Sequence, residues 1–177
     1  MKKDNDMLEN SEVLNKQAIN LAESGMYNEA VACLRRAVVI DKKNYLLWYN
    51  LGITYRDAGN LSDAKLALLQ AYKLNDLDEE LLETLALVCF GLEDYDEAFG
   101  YCYECLDLNP LNFHCWNNLG VMSFSKQDFE AAVEAFEMAI SINPAYYDAL
   151  YNLRDAYLEI GNVKGSRECD ELLKNLK

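Results

Sequence analysis

The sequence is poor in histidine, glycine and proline, and this limits the chemistry that it can support. Its one histidine, His114, has no serine or cysteine at a spacing that suggests a nucleophile partner. The eight glycines form no phosphate-binding loop, and the many carboxylates are scattered over helix surfaces rather than paired. We therefore predict that the protein is not an enzyme and uses no cofactor.

Long apolar runs and an excess of basic residues are also missing. No apolar segment approaches the roughly 20 residues that span a bilayer, and the first ten residues lack the apolar core of a secretory signal. The 30 acidic residues outnumber the 16 basic ones, and the net charge of −14 opposes binding to nucleic acid or anionic lipid. We predict no membrane insertion, no nucleic-acid partner and a cytoplasmic location, which also suits six cysteines.

The two prolines that do occur mark a repeat. Pro110 and Pro144 lie 34 residues apart, and the same step connects small residues at Ala30, Ala64 and Ala98 without any insertion. After a polar extension over residues 1–10, this period divides the chain into five segments, which are residues 11–44, 45–78, 79–112, 113–146 and 147–177.

Each segment has the pattern of two helices joined by a turn. Apolar residues follow the helical period, and a glycine interrupts it near the middle of three segments, at Gly25, Gly59 and Gly161. Helix N-cap residues, whose side chains accept backbone N–H groups at a helix start, follow the break at Asn60, Asp94, Asp128 and Asn162. The sequence thus predicts an all-α protein of five helix–turn–helix units.

These segments resemble the tetratricopeptide repeat (TPR) family. The family signature W-x2-L-G-x2-Y is matched by Trp48, Leu51, Gly52 and Tyr55, and its later Ala, Phe, Ala and Pro positions by Ala132, Phe136, Ala139 and Pro144. The resemblance implies a right-handed α-solenoid of five TPR hairpins, in which stacked neighbours share one continuous core. The last segment departs from the pattern, since Arg154 replaces the small residue and Asp170 the aromatic one, and we interpret it as a polar cap.

The resemblance also implies that the first helices of the repeats line a concave groove. Asn50, Asn118 and Asn152 hold the same place in three repeats, where an amide can bind the backbone of a peptide. The alternative is that asparagine is merely tolerated on an exposed helix face. The groove residues that we expect to contact a partner are Tyr49, Asn50, Ile53, Arg56, Leu87, Phe90, Asn117, Asn118, Val121, Phe124, Tyr151, Asn152 and Asp155.

The groove positions indicate the kind of partner. Apolar and aromatic residues recur there, and eight acidic residues accompany only Lys16 and Arg56. We therefore predict a non-enzymatic adaptor for protein–protein interaction, which binds an extended or helical segment that carries apolar and basic residues. The alternative is a structural subunit that self-associates into a homo-oligomeric scaffold.

The Cys102-x-x-Cys105 motif is the strongest candidate for chemistry. Cys102 holds the place of Phe136 and Cys105 the place of Ala139, while Cys89 replaces the signature tyrosine. All three therefore belong to the predicted core, where cysteine packs as a small apolar residue. A zinc site that includes Cys115 is the alternative, and we predict no metal.

Overall fold

Residues 10–176 are described in the computed structural model, and this part of the chain forms ten α-helices and no strand. The helices are α1 (Ser11–Glu23), α2 (Tyr27–Ile40), α3 (Tyr45–Asp57), α4 (Leu61–Tyr72), α5 (Glu79–Gly91), α6 (Tyr95–Leu108), α7 (Phe113–Ser125), α8 (Phe129–Ile142), α9 (Tyr147–Glu159) and α10 (Val163–Asn175). The predicted all-α fold class is confirmed. Within the described residues, no helix is long and apolar enough to cross a bilayer.

The predicted extension over residues 1–10 lies outside the described residues except for its last member. Asn10 is the N-cap of α1, and its side chain accepts a hydrogen bond from the Glu12 backbone N–H at 2.8 Å. The first helix therefore begins at a side-chain cap.

Every first helix ends in a left-handed turn residue. Gly25, Gly59 and Gly161 have φ values of 75°, 80° and 75°, as a helix C-terminus that reverses the chain requires. Glu93 and Gln127 hold the same place in the other two segments, with φ values of 64° and 63°. The turn is thus present five times, although the sequence shows a glycine only three times.

Polar caps start the second helices after these turns. The side chains of Asn60, Asp128 and Asn162 accept backbone N–H groups from Asp63, Ala131 and Gly165, at 3.3, 3.2 and 3.0 Å. The predicted caps are therefore confirmed for α4, α8 and α10. Asp94 is the N-cap residue of α6 but makes no side-chain cap hydrogen bond, and α2 has Met26 at this place.

The chain divides into two compact units, which meet in sequence between Thr84 and Leu85, inside α5. In unit 1, the residues up to Thr84, a core of Leu14, Leu34, Leu47 and Leu51 joins α1, α2 and α3. In unit 2, the residues from Leu85 onward, Phe136 packs with residues of α9 and α10 such as Leu153 and Cys169. The alanines of the 34-residue step are completely buried, as close helix packing demands.

Close approach within a hairpin depends on one small residue. A Cβ atom added to Gly52 would lie 2.5 Å from the Leu68 side chain, and one added to Gly120 would overlap the Phe136 ring. In the last hairpin, the same two places hold Arg154 and Asp170, which form an ion pair at 3.6 Å. A polar contact thus replaces the apolar contact there.

The cysteines lie where core packing predicts. Cys89, Cys102, Cys105 and Cys115 are completely buried, and the six cysteines form no disulfide in the described part of the chain. Burial raises the pKa of the Cys169 thiol to about 11. A thiol of this kind is poorly ionised at neutral pH and is a weak nucleophile.

Candidate functional site

A pocket in unit 1 lies between the first two hairpins. Its volume is about 240 Å³, and the buried Leu34 forms its floor. The predicted groove residues Asn50 and Ile53 line it, and carboxylates of Glu23 and Asp57 stand at its rim. The pocket is therefore apolar inside and acidic outside.

A second pocket lies in unit 2 between the last two hairpins. Its volume is about 110 Å³, and the fully buried Phe136 forms its floor. Four predicted groove residues line it, which are Val121, Phe124, Asn152 and Asp155. It also combines an apolar interior with an amide and a carboxylate.

The two pockets are built from equivalent positions. Adding 102 residues, three steps of 34, to six lining residues of the unit 1 pocket gives the six lining residues of the unit 2 pocket. Leu34 corresponds to Phe136 and Asn50 to Asn152. An equivalent site thus occurs in both units, with different apolar residues but with the asparagine retained.

The retained asparagine is also a structural bridge between neighbouring first helices. Asn50 donates its Nδ2 group to Oδ1 of Asn15 at 2.8 Å, and Asn152 donates Nδ2 to Oδ1 of Asn117 at 3.1 Å. The bridge orients each pocket asparagine and uses one of its donors, while neither bond involves its own carbonyl oxygen. Asn117, predicted as a groove contact, is only 7% exposed and acts as the acceptor of this bridge.

Tyr49 takes part in the same type of contact in unit 1. Burial raises the pKa of its hydroxyl, a hydrogen bond with Thr84 opposes the shift, and the Glu80 carboxylate adds to it. The hydroxyl therefore stays protonated at neutral pH. Tyr49 and Thr84 are 35 residues apart, as are the two bridged asparagine pairs.

Arginine side chains hold two of the carboxylates at the pocket rims. Arg56 binds Asp57 at 2.8 Å, with both side chains partly exposed. Arg154 donates from Nε and an Nη atom to Oδ1 of Asp155, at 2.8 and 2.7 Å. Its guanidinium also lies 4.0 Å from the ring centroid of Tyr151, another predicted groove residue, which is 44% exposed.

The remaining predicted groove residues line neither pocket. Leu87 is 42% exposed on α5, and Phe90 is partly buried with its ring centroid 5.8 Å from that of Tyr95. Asn118 is partly buried on α7. Sequence reasoning missed the pocket floors Leu34 and Phe136, because the family signature assigns both places to the core.

Comparison with known families decides the relationship of the chain. Two models described as "Tetratricopeptide repeat" match residues 49–113 and 114–146, and a model described as "TPR repeat" matches residues 20–59. The chain belongs to the tetratricopeptide repeat family. TPR proteins bind their ligands on surfaces formed by stacked repeats, and the two equivalent pockets lie between neighbouring TPR hairpins.

Curated relatives of this TPR chain include receptors. The peroxisomal targeting signal receptor of Saccharomyces cerevisiae is 29% identical over 113 residues, which are 64% of this chain and 18% of the receptor. The receptor of the same name from Candida albicans is 28% identical over 171 residues, which are 90% of this chain and 28% of the receptor. The chain spans less than a third of the length of either relative.

Solved structures show the same TPR solenoid fold. The MamA protein has a TM-score of 0.79 at 22% identity, with 94% of this chain and 89% of MamA covered. YrrB, described as a TPR protein with an unusual peptide-binding site, has a TM-score of 0.71 at 20% identity, with 93% and 84% covered. At these identities the likeness establishes the fold alone.

Proposed function

We propose that the protein is a non-enzymatic TPR adaptor that binds an extended or helical segment of another protein through its two equivalent pockets. The observation that carries this proposal is the recurrence of one pocket, in both units, at positions three periods apart. In both pockets the asparagine is also held by a hydrogen bond to the preceding first helix, so the same oriented amide is presented twice. Small concave sites with an apolar interior and a few polar groups are typical of ligand binding.

The chemistry of the pockets supports a segment with apolar anchors and basic neighbours. Val121 and Phe124 offer an apolar wall, and Asn152 offers a fixed carbonyl oxygen to a backbone N–H group. Asp155 in unit 2, and Glu23 and Asp57 in unit 1, favour a lysine or arginine beside the anchor.

The names of the relatives also support a role in protein interaction. Two of them are named as receptors for a peroxisomal targeting signal, and YrrB is named for its peptide-binding site. We extend only this general interaction role to the chain, which we interpret as five repeats over residues 11–177. The chemistry of the partner is inferred from the pockets of this chain. The cytoplasmic location stays a prediction.

The proposal is tested with peptides selected from a random displayed library on the whole chain. We expect the selected peptides to be enriched in apolar and basic residues. The Phe124→Ala and Asn152→Ala substitutions should each raise the dissociation constant by about tenfold, because each removes a central contact. Fluorescence anisotropy of the labelled peptide measures the change.

The matched control is Phe113→Ala, on the same helix as Phe124. Phe113 is also partly buried, but it packs against Tyr146, with ring centroids 5.0 Å apart, and lines neither pocket. Its replacement should leave affinity unchanged. Full affinity in the Phe124→Ala and Asn152→Ala variants, or an equal loss in Phe113→Ala, would contradict the proposed site.

A further inference from the structure

A groove in unit 2 shares no lining residue with the pocket described above. It lies between α6 and α8, with α7 beneath, and has a volume of about 270 Å³. We name it the α6–α8 groove and define it by its main apolar residues Phe99, Tyr103, Trp116, Leu119, Ala135 and Met138. The proposed peptide pockets do not account for this surface.

Contacts within the chain hold the aromatic side chains of the groove in place, and these side chains range from partly buried to exposed. Trp116 donates its indole Nε1 to the carbonyl oxygen of Pro110 at 3.0 Å, which fixes the ring. Phe99 and Tyr103 stack with ring centroids 6.4 Å apart, and Tyr103 is 56% exposed. Aromatic residues and methionine are enriched at the cores of protein interfaces, because they bury a large area.

An equivalent groove in unit 1 differs from the α6–α8 groove in its lining side chains. It lies two periods earlier, with Trp48 in the place of Trp116, and has a volume of about 400 Å³. Arg35 holds the place of Tyr103, and Gln70 holds the place of Met138. The unit 1 groove therefore has polar side chains at these two places, where the α6–α8 groove is apolar, whereas Leu66 of unit 1 holds the place of Glu134.

The end of the groove already holds a cation. The Nζ atom of Lys126 lies 5.5 Å from the ring centroid of Phe99 and 5.7 Å from that of Tyr95. Both distances are within the range of a cation–π interaction, in which the ring face attracts positive charge. An ammonium group of this chain thus occupies an aromatic site that an ammonium or guanidinium of another chain would also fit.

Acidic residues surround that cation. Glu93, Asp94, Asp96 and Glu97 line a depression of about 380 Å³ together with Tyr95 and Lys126. The four carboxylates outnumber the single lysine, so the rim attracts further positive charge. Acids in the first turn of α6 also stabilise the helix through its dipole, and this contribution is the same with or without a partner.

We propose that the α6–α8 groove is a second docking surface, whose partner is a basic amphipathic helix. The apolar face of that helix packs on Tyr103, Trp116 and Met138. One of its lysines or arginines replaces Lys126 above Tyr95 and Phe99, next to the acidic rim. An amphipathic helix commonly lays its apolar face into a hydrophobic groove of this kind.

The test uses the fluorescence of Trp116 as a local probe. The Trp48→Phe substitution in the whole chain leaves Trp116 as the one tryptophan, and circular dichroism checks the fold. The ligand is a synthetic amphipathic helix of leucine and lysine, about 14 residues long, that carries a quencher. We expect saturable quenching of Trp116 by this peptide and none by the same peptide with glutamate in place of lysine.

Two substitutions with matched controls separate docking from general attraction to an acidic protein. Tyr103→Ala should weaken binding by about tenfold, whereas Tyr147→Ala, which removes an exposed tyrosine from the stacked Tyr147–Tyr151 pair, should not. Lys126→Gln should strengthen binding by about threefold, because it vacates the cation–π site. Lys164→Gln removes the same charge from a side chain that is 89% exposed, and it should have a smaller effect.

Three outcomes would overturn the proposal. The first is quenching that does not saturate or that the glutamate peptide reproduces. The second is equal behaviour of the Tyr103→Ala and Tyr147→Ala variants. The third is a change in the oligomeric state of the peptide-free protein on Tyr103→Ala, because the occupant of the groove would then be a second copy of this chain.

Discussion

Glycine at the closest point of a hairpin has a role that differs from glycine elsewhere in the same unit. The ideal Cβ position on Gly120 falls within 2.8 Å of three atoms of the Phe136 ring, and that ring is fully buried. Gly100, inside α6, has no atom within 4 Å of its Cβ position. Residue 120 therefore requires glycine, whereas residue 100 has room for a larger side chain.

We predict that Gly120→Ala destabilises the protein by about 1–3 kcal/mol, because a packed core resists an added methyl group. Gly100→Ala should stabilise it by about 0.5–1 kcal/mol, because alanine loses less backbone entropy in a helix. Urea unfolding followed by circular dichroism measures both. If both substitutions changed the free energy of unfolding in the same direction, contact with Phe136 would not be the reason for glycine at residue 120.

The asparagines show how far residue-level prediction reaches. The period of 34 identifies Asn50 and Asn152 as equivalent, and the structure places both in pockets. Their hydrogen-bond partners are 35 residues away, not 34, so the partner of one asparagine is not its own equivalent. That offset depends on how neighbouring first helices are staggered, and a periodic sequence does not contain this information.

At the level of elements, the turn and the N-cap after it form one unit of structure. A left-handed residue is followed by the cap, and three of the five caps bind the backbone of the next helix through a side chain. Met26 is the exception in unit 1. Its backbone angles, φ −88° and ψ 62°, are close to those of the functional cap Asn162, φ −81° and ψ 71°.

We predict that Met26→Asn stabilises the protein by about 1 kcal/mol, because the side chain can then accept a backbone N–H group at the start of α2. Met26 is 44% exposed, so the substitution loses only part of the apolar burial of a core side chain. The reverse change, Asn162→Ala, should cost about the same amount, since it removes a cap hydrogen bond of 3.0 Å. Thermal unfolding of both variants tests the pair, and a loss of stability in Met26→Asn would contradict the cap argument.

Turn prediction from the local residue type succeeds only where glycine is present. Glu93 and Gln127 adopt the left-handed conformation although it costs a non-glycine residue roughly 1 kcal/mol. Both residues stand at the place where the other three hairpins have a left-handed glycine. The period therefore predicts the turn at residues 93 and 127 more reliably than the local residue type does.

At the scale of the molecule, the fold follows from repetition rather than from any single motif. A period without insertions requires that each hairpin meet the next in the same way, and small residues at the contacts then suffice to define helix packing. The cysteines show the value of the period. The repeat register predicts that Cys102 and Cys105 belong to the core, and both are completely buried. Groove geometry is less predictable, because two pockets of 240 and 110 Å³ arise from equivalent positions with different side chains.

The net charge and the last hairpin bear on whether the chain assembles with itself. The charge of −14 opposes contact between copies. In the last hairpin, Arg154 and Asp170 replace the glycine–phenylalanine type of contact, so that α10 presents an ion pair where α8 presents a buried ring. We predict that the 177-residue chain is a monomer at neutral pH, in contrast to the alternative of a self-associating scaffold.

Light scattering at several protein concentrations measures this directly, and we expect the mass of one chain throughout. The double variant Arg154→Gly/Asp170→Phe gives the last hairpin the same residue pair as Gly120 and Phe136, and it places an aromatic ring at a position where the Asp170 side chain is 47% exposed. We expect the mass of this variant to rise with concentration, because an exposed aromatic surface of repeat type favours stacking. A wild-type mass that rises in the same way would favour the scaffold, and a monomeric double variant would show that the ion pair is not what prevents association.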